Sequence, residues 1–327
     1  MKALVVGLGS MGKRRTRLIQ EFAKGVAVIG VDGDESRRNE ARELYGIETF
    51  ASTEEALARV SPDVGFVCSP PLTHGEIISS LLSARLHVFS EINLVSDRYD
   101  DNIALARQAG LVLFLSSTQM YRRELEYITC LAKGESKLCY RYHVGQYLPD
   151  WHPWESYTDY FVGSRPTNGC REIFAIELPW LVGAFGEVLS VSAEARKLSG
   201  LKIDYPDCFA VTLSHKGGVL GQIVVDVVSR KAVRDLEVFS EELYLRWGGT
   251  PDSLYHYDIY SRQDRQVECY ESVLRDPRYS GNIVENAYAE EILAFFALIR
   301  GEGTPRHSFE ADKAIIALLD VIEGAAG

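Results

Sequence analysis

Met1-Lys-Ala-Leu-Val-Val-Gly-Leu-Gly-Ser-Met-Gly12 opens the chain. An apolar run, Ala3 to Val6, breaks into Gly7-x-Gly9-x-x-Gly12 and then into a basic, helix-competent segment, Lys13 to Lys24. Each glycine has its own job in such a turn. Gly7 permits the sharp bend, Gly9 lets backbone approach a pyrophosphate, and Gly12 lets helix and strand pack closely. Phosphates would then sit on the backbone of Gly7, Gly9, Ser10, Met11 and Gly12, where free N–H groups and the helix dipole favour negative charge. The expected architecture is a doubly wound parallel sheet with a dinucleotide on its first strand–helix turn.

Asp32 stands twenty residues past Gly12, at the end of a second apolar run, Val26 to Val31. It is expected to bind the adenosine ribose hydroxyls and to repel a 2′-phosphate, favouring NAD over NADP. Arg37 and Arg38 follow closely and keep NADP open. Strand-like runs at Ala3–Val6, Val26–Val31, Gly65–Cys68, Leu86–Ser90 and Val112–Leu115 alternate with helix-like ones through the first third. That alternation gives a Rossmann domain over residues 1–119.

After Gln119 the texture changes. A helical stretch, Arg122 to Ala132, leads into segments that alternate in the β manner from Leu138 to Tyr260, and helical spacing returns at Val284–Ile299 and Phe309–Ile322. Residues 120–327 thus read as an α+β domain with a large, mostly antiparallel sheet, carrying substrate and oligomer contacts.

Hydrophobic residues at 46% and charged residues at 25% are those of a globular chain. A net charge of −11 argues against a nucleic-acid partner. Arg14, Arg15 and Arg17 read as a solvated helix face or a phosphate-side field. No run approaches the ~18 apolar residues of a membrane span. Met1 leads directly into a strand, which leaves no room for a signal peptide. Six scattered cysteines without a CxxC pair suggest free thiols, no metal site and a cytoplasmic protein.

Four features together resemble the glucose–fructose oxidoreductase / inositol dehydrogenase / MocA (Gfo/Idh/MocA) family. They are the Gly7–Gly12 fingerprint; Asp63-Val-Gly-Phe-Val-Cys-Ser-Pro-Pro-Leu-Thr-His74; Leu86-His-Val-Phe-Ser-Glu-Ile-Asn-Leu94; and the tail Ser308-Phe-Glu-Ala-Asp-Lys. The resemblance implies an NAD(P)-dependent oxidoreductase whose sheet domain covers the nicotinamide and pairs into homodimers or homotetramers. The departures fall on the chemistry. The family's lysine falls at Ile92 and its proline at Asn93; its histidine falls at Ile176 and its second acid at Pro179, while its first acid is kept in kind as Glu172.

Ser69, Pro70 and His74 lie past the third of these strands and Glu91 ends the fourth, at the carboxyl edge where open α/β sheets take ligands. His74 reads equally as a ribose contact or a helix cap. Glu91 reads as a nicotinamide-ribose ligand or a solvated carboxylate. Asp150-Trp-His-Pro-Trp-Glu-Ser-Tyr-Thr-Asp-Tyr160 mixes aromatic and ionisable groups as a sugar site does, or as a plug at a domain junction.

In this reading His152 and Tyr157 (or Tyr160) are the proton-carrying candidates, and Glu172 joins the catalytic set as a group that orients His152 or binds a sugar hydroxyl or an ammonium group. Trp151, Trp154, Arg165, Arg171, Glu177 and Asn93 are the substrate-binding ones. The expected function is hydride transfer to or from a sugar or sugar derivative, acidic or nucleotide-linked, in cell-surface carbohydrate metabolism. A non-redox enzyme using bound NAD transiently, or a silent NAD(H)-binding sensor, are the alternatives.

Overall fold

The computed structural model describes residues 1–278 and 282–326. The chain divides into two compact units, Met1–Thr118 with Tyr288–Ala314, and Gln119–Ala287 with Ile315–Gly327. Each is taken by itself.

The first unit alternates β1 (Lys2–Val6), α1 (Ser10–Phe22), β2 (Ala27–Val31), α2 (Glu35–Tyr45), β3 (Glu48–Phe50), α3 (Thr53–Arg59), β4 (Val64–Val67), α4 (His74–Ser83), β5 (His87–Ser90), α5 (Tyr99–Ala109) and β6 (Leu113–Leu115). Its sheet runs β3-β2-β1-β4-β5-β6, parallel throughout, so the order reverses between β1 and β4. That switch point is where such sheets hold ligands. Strands buried on both faces explain why the apolar runs are continuous rather than alternating. One face buries Leu4, Val6, Ile29 and Val31 under Ile78, Leu81 and Phe309. The other stacks Phe66 on Phe89 at 4.9 Å and Phe89 on Phe114 at 5.0 Å, with the edge of Phe295 against both Phe66 and Phe89. Phe295 and Phe309 belong to the returning segment 288–314, which sequence order alone does not assign to this unit.

In the second unit α6 (Arg123–Ala132) precedes β7 (Cys139–Gly145), and α7 (Gly169–Phe185) precedes β8 (Val188–Arg196), β9 (Cys208–His215), β10 (Leu220–Asp226), β11 (Val233–Phe239), β12 (Tyr244–Trp247), β13 (Leu254–Asp258) and β14 (Gln263–Gln266). The eight strands order as β14-β13-β12-β11-β7-β10-β9-β8, antiparallel except for the β7–β10 pair. Alternation along β7 buries Tyr140, Tyr142 and Val144, and α7 supplies Phe174, Trp180 and Phe185. The helices α8 (Glu285–Ile299) and α9 (Phe309–Ala325) close the chain.

The Arg14-Arg15-x-Arg17 run is not a solvated face: Arg14 is 4% exposed and Arg15 fully buried. α7 begins at Gly169, so Glu172 and Glu177 share a helix, about 140° apart round its axis at 3.6 residues per turn. Pro179 lies inside that helix, and its missing N–H leaves the carbonyl of Ala175 without a helical partner. The short edge strands β3 and β14 carry no apolar signal long enough to read, since β14 is polar and exposed throughout.

Candidate functional site

The glycine turn of the first unit has the geometry its spacing demands. Gly7 takes φ +93°, and a Cβ on it would lie 2.7 Å from the Cys68 carbonyl oxygen. A Cβ on Gly12 would stand 1.8 Å from the Gly7 carbonyl oxygen. Gly9 is the N-cap of α1 and gives it no side-chain cap, nor is there an acid in the first turn. A Cβ there would meet only Arg37 Nη1, at 4.0 Å. The first-turn N–H groups of Ser10 and Met11 are thus left to an anion, which is how a pyrophosphate is held. Overpacking at Gly12 is expected to make Gly12→Ala less stable by about 1–3 kcal/mol, with dinucleotide binding lost, as read by urea unfolding and calorimetry.

Asp32 closes this turn from β2. Its Oδ2 accepts the Leu8 N–H at 2.8 Å and its Oδ1 the Asp34 N–H at 2.8 Å. Each oxygen keeps a lone pair for a ribose hydroxyl. Arg38 donates to the carbonyls of Asp32 and Gly33, so it braces the loop, whereas Arg37 lies 3.9 Å from Asp32 Oδ2 and half-exposed.

At the carboxyl ends of β4 and β5 the candidates are tied inward. Glu91 neither faces water nor stands free: it accepts Arg15 Nε at 2.6 Å and Nη2 at 3.2 Å. Arg15 Nη2 also reaches Glu291 at 2.8 Å and Ser116 at 3.0 Å. Burial and the charge of Glu91 push the Glu291 carboxyl above the usual range, although Arg15 opposes them. His74 is buried, with Nε2 on the Ser69 carbonyl at 2.7 Å and Nδ1 on the Asn93 side chain at 2.7 Å. Burial lowers its pKa, favouring the neutral ring. The Asn93 atom at Nδ1 is Oδ1, so a neutral ring that donates to Ser69 requires the amide turned to bring its NH2 there. His74 and Asn93 are therefore engaged with one another, and they hold the Ser69–Pro70 turn in shape.

In the second unit the aromatic segment forms a ladder. His152 stacks on Trp154 at 5.0 Å and on Tyr160 at 4.6 Å, and its Nδ1 lies 2.8 Å from Glu155. Trp154 is 67% exposed. Trp151 donates its indole N–H to the Gln146 carbonyl at 3.1 Å. The Tyr157 hydroxyl accepts the Lys202 N–H at 3.0 Å. Tyr160 is not activated by a cation: burial, then the charges of Glu172 and Glu155, raise its pKa, and its buried hydroxyl has no hydrogen-bond partner among the described residues.

Glu172 sits in the first turn of α7. Its Oε2 is covered and has no hydrogen-bond partner among the described residues, and burial alone raises its pKa to about 8. At neutral pH it is a carboxylic acid, a proton donor. Glu177 is a different object, accepting from Tyr142 at 2.8 Å, Trp180 at 2.7 Å and Arg234 at 3.1 Å. Arg171 is buried between Asp320 at 2.7 Å and Glu323. Arg165 is exposed and tied to Asp204. Glu177, Arg171 and Arg165 are therefore each engaged by partners within the unit. Tyr121 and Arg122 are buried too; Arg122 is bound to Glu124 and to the Gly249 carbonyl. Among the described residues no group of three His, Cys, Asp or Glu side chains is placed to hold a metal, and no helix is long and apolar enough to cross a membrane.

The family described as "Oxidoreductase family, NAD-binding Rossmann fold" matches residues 1–116. Human biliverdin reductase A is 29% identical over 198 residues, 59% of this chain and 62% of the relative. Myo-inositol 2-dehydrogenase of Thermotoga maritima is 26% identical over 129 residues, 38% of this chain and 39% of the relative. The matches thus span less than two thirds of either curated relative. The structure of UDP-N-acetylglucosamine 3-dehydrogenase GnnA from Acidithiobacillus ferrooxidans superposes with a TM-score of 0.75 at 18% identity, covering 99% of this chain and 97% of that one. At that identity the likeness is one of fold. With the Rossmann turn and the 3-2-1-4-5-6 sheet in place, residues 1–116 match the NAD-binding Rossmann domain of that oxidoreductase family.

Proposed function

We propose that this chain is an NAD-dependent oxidoreductase that moves a hydride to or from a carbinol carbon of a sugar or sugar derivative, acidic or nucleotide-linked. The observation that carries the reading is the uncapped N-terminus of α1 beneath Gly9, with the Asp32 carboxylate at its side. Bound nicotinamide supplies the hydride acceptor or donor. The chain supplies the rest. Gly7 to Gly12 hold the pyrophosphate by backbone N–H groups, Asp32 takes the ribose hydroxyls, and the His74–Asn93 pair keeps the Ser69–Pro70 turn in place. Glu172 gives a proton to a carbonyl oxygen during reduction, in the role left open by Ile92 and Ile176; Tyr160 and His152 stand next to it in candidacy. Such a proton transfer contributes about 10²–10⁴-fold.

Support for the substrate class comes from relatives named for myo-inositol and UDP-N-acetylglucosamine, and from the exposed ring of Trp154. The test is nicotinamide absorbance with UDP-sugars, uronic acids, inositols and biliverdin. Turnover of a sugar derivative supports the reading, and turnover of biliverdin alone redirects it to tetrapyrrole reduction. Tight NAD binding without turnover of any of them favours a non-redox enzyme or a sensor. The reading also includes a cytoplasmic homodimer or homotetramer paired through the eight-stranded sheet, which light scattering measures.

NAD is expected to bind more tightly than NADP, because the Asp32 carboxylate meets a 2′-phosphate with like charge. Asp32→Ala should lose about 1–3 kcal/mol of NAD affinity, the worth of hydrogen bonds to a charged group. Equal affinities for the two cofactors, measured by calorimetry, would remove Asp32 from this role.

A further inference from the structure

With Arg165 and Arg171 tied to carboxylates, an acidic ligand needs another cation, and the second unit holds one in an unusual state. Arg230 lies just past β10, with its guanidinium carbon 4.0 Å over the Tyr147 ring. Among the described residues no carboxylate pairs with it. Of the three arginines of the second unit that stack on a ring, Arg122 and Arg246 also meet a carboxylate, Glu124 and Asp264, whereas Arg230 meets none among the described residues. Stacking on an aromatic face fixes the guanidinium plane and leaves its N–H edge free, which suits it to a carboxylate or a phosphate. Lys231 follows and is exposed.

The surroundings are built. Tyr147 lies just past β7, the parallel neighbour of β10. Its N–H donates to the Ser229 carbonyl at 2.7 Å, and the Leu148 N–H to the Val227 carbonyl at 3.0 Å. Two loops at the same ends of two paired strands are thereby laced together, with the ring on one and the guanidinium on the other. Trp151, anchored on Gln146, lies against Gly169, where a Cβ would be 3.5 Å from its ring. Gly169 opens α7, and Glu172 follows within its first turn. The stacked arginine, Trp151 and the first turn of α7 with its unpartnered acid thus belong to the same unit.

We propose that Arg230, held over Tyr147, binds an anionic group of the ligand that the second unit takes, a carboxylate or a phosphate. The proposal rests on the reading of this unit as the one that takes a sugar derivative. Because the guanidinium is already ordered, little side-chain entropy is lost on binding.

The experiment is calorimetry on the full chain saturated with NAD, which fills the phosphate site of the first unit. Its probes are UDP, glucuronate and, as the neutral control, glucose. UDP or glucuronate is expected to bind more tightly than glucose and to weaken with added salt. Arg230→Met is expected to weaken the anion by roughly 10- to 100-fold with an unchanged melting temperature. Tyr147→Leu should weaken it in the same direction by freeing the guanidinium. Binding of UDP alone identifies a phosphate ligand, and binding of glucuronate alone a carboxylate. Wild-type affinity in Arg230→Met, or no binding of either anion at millimolar concentration, overturns the proposal. Anion binding through Arg230 without turnover of any sugar would sink the redox reading and leave this one standing. Turnover of a neutral sugar that is unchanged in Arg230→Met would do the reverse.

Discussion

Arg15→Met is expected to lower the free energy of unfolding by about 3–5 kcal/mol at neutral pH, the usual consequence of removing one partner from a buried ionic cluster. Arg15 is fully buried and stands between two carboxylates, Glu91 at 2.6 Å and Glu291 at 2.8 Å. Glu291 also takes the Ser117 N–H at 2.6 Å, so its position is fixed. Removing the guanidinium leaves two negative groups facing one another without a counter-charge. The loss should depend on pH with a definite sign. Glu291 already holds its proton above the ordinary value of 4.5, and without Arg15 it should hold it further. The unfolded chain releases that proton near 4.5, so the folded variant binds more protons than the unfolded one above that pH, and its stability falls as pH rises. The deficit should therefore be smallest near the unfolded value of about 4.5 and grow as pH rises above it. Urea unfolding at several pH values measures it. Adding Glu291→Leu should recover part of the loss, because a single carboxylate is then left without its guanidinium. A deficit below about 1 kcal/mol at pH 7 would show that water reaches the cluster.

The same cluster shows what sequence can and cannot convey. The glycine turn and the strand–helix alternation were legible because each glycine and each apolar run acts over a few residues. The doubly wound parallel sheet followed from that alternation, and the large second sheet from the two-residue alternation after Gln119. Arg15 was not legible. In sequence it belongs to a cationic run on a helix, and its partners lie 76 and 276 residues away. The return of residues 288–314 to the first unit was hidden for the same reason. Among the site candidates, Arg171 and Glu177 have the residue types of a binding site but are occupied by Asp320, Glu323, Tyr142, Trp180 and Arg234. Arg230 has no motif around it at all. Its signal is an aromatic ring contributed by a different strand's end, which only the parallel pairing of β7 and β10 brings to it.

Replacing Glu172 is expected to separate stability from activity in opposite directions. Its pKa is raised to about 8 by burial, against 4.5 in the unfolded chain. Between those two values the folded state holds a proton that the unfolded state has released, so stability falls as pH rises through that window. Glu172→Gln removes the liability. The variant should match the wild type near about pH 5 and gain on it as pH rises, reaching on the order of 2 kcal/mol near pH 8 once partial solvent access is discounted from about 1.4 kcal/mol per pH unit. Turnover should move the other way. If Glu172 delivers the proton, Glu172→Gln and Glu172→Ala both lose about 10²–10⁴-fold while NAD affinity stays near that of the wild type. Reduction by the wild type should decline above about pH 8, as the donor ionises, and that limb should vanish in the residual activity of the variants. A group that costs stability and yet supports turnover has the profile of a functional residue. A Glu172→Gln protein with wild-type turnover would pass the proton to Tyr160 or to His152. Tyr160→Phe and His152→Asn would then decide between them, since His152 keeps its Glu155 contact in the first and Tyr160 keeps its buried hydroxyl in the second.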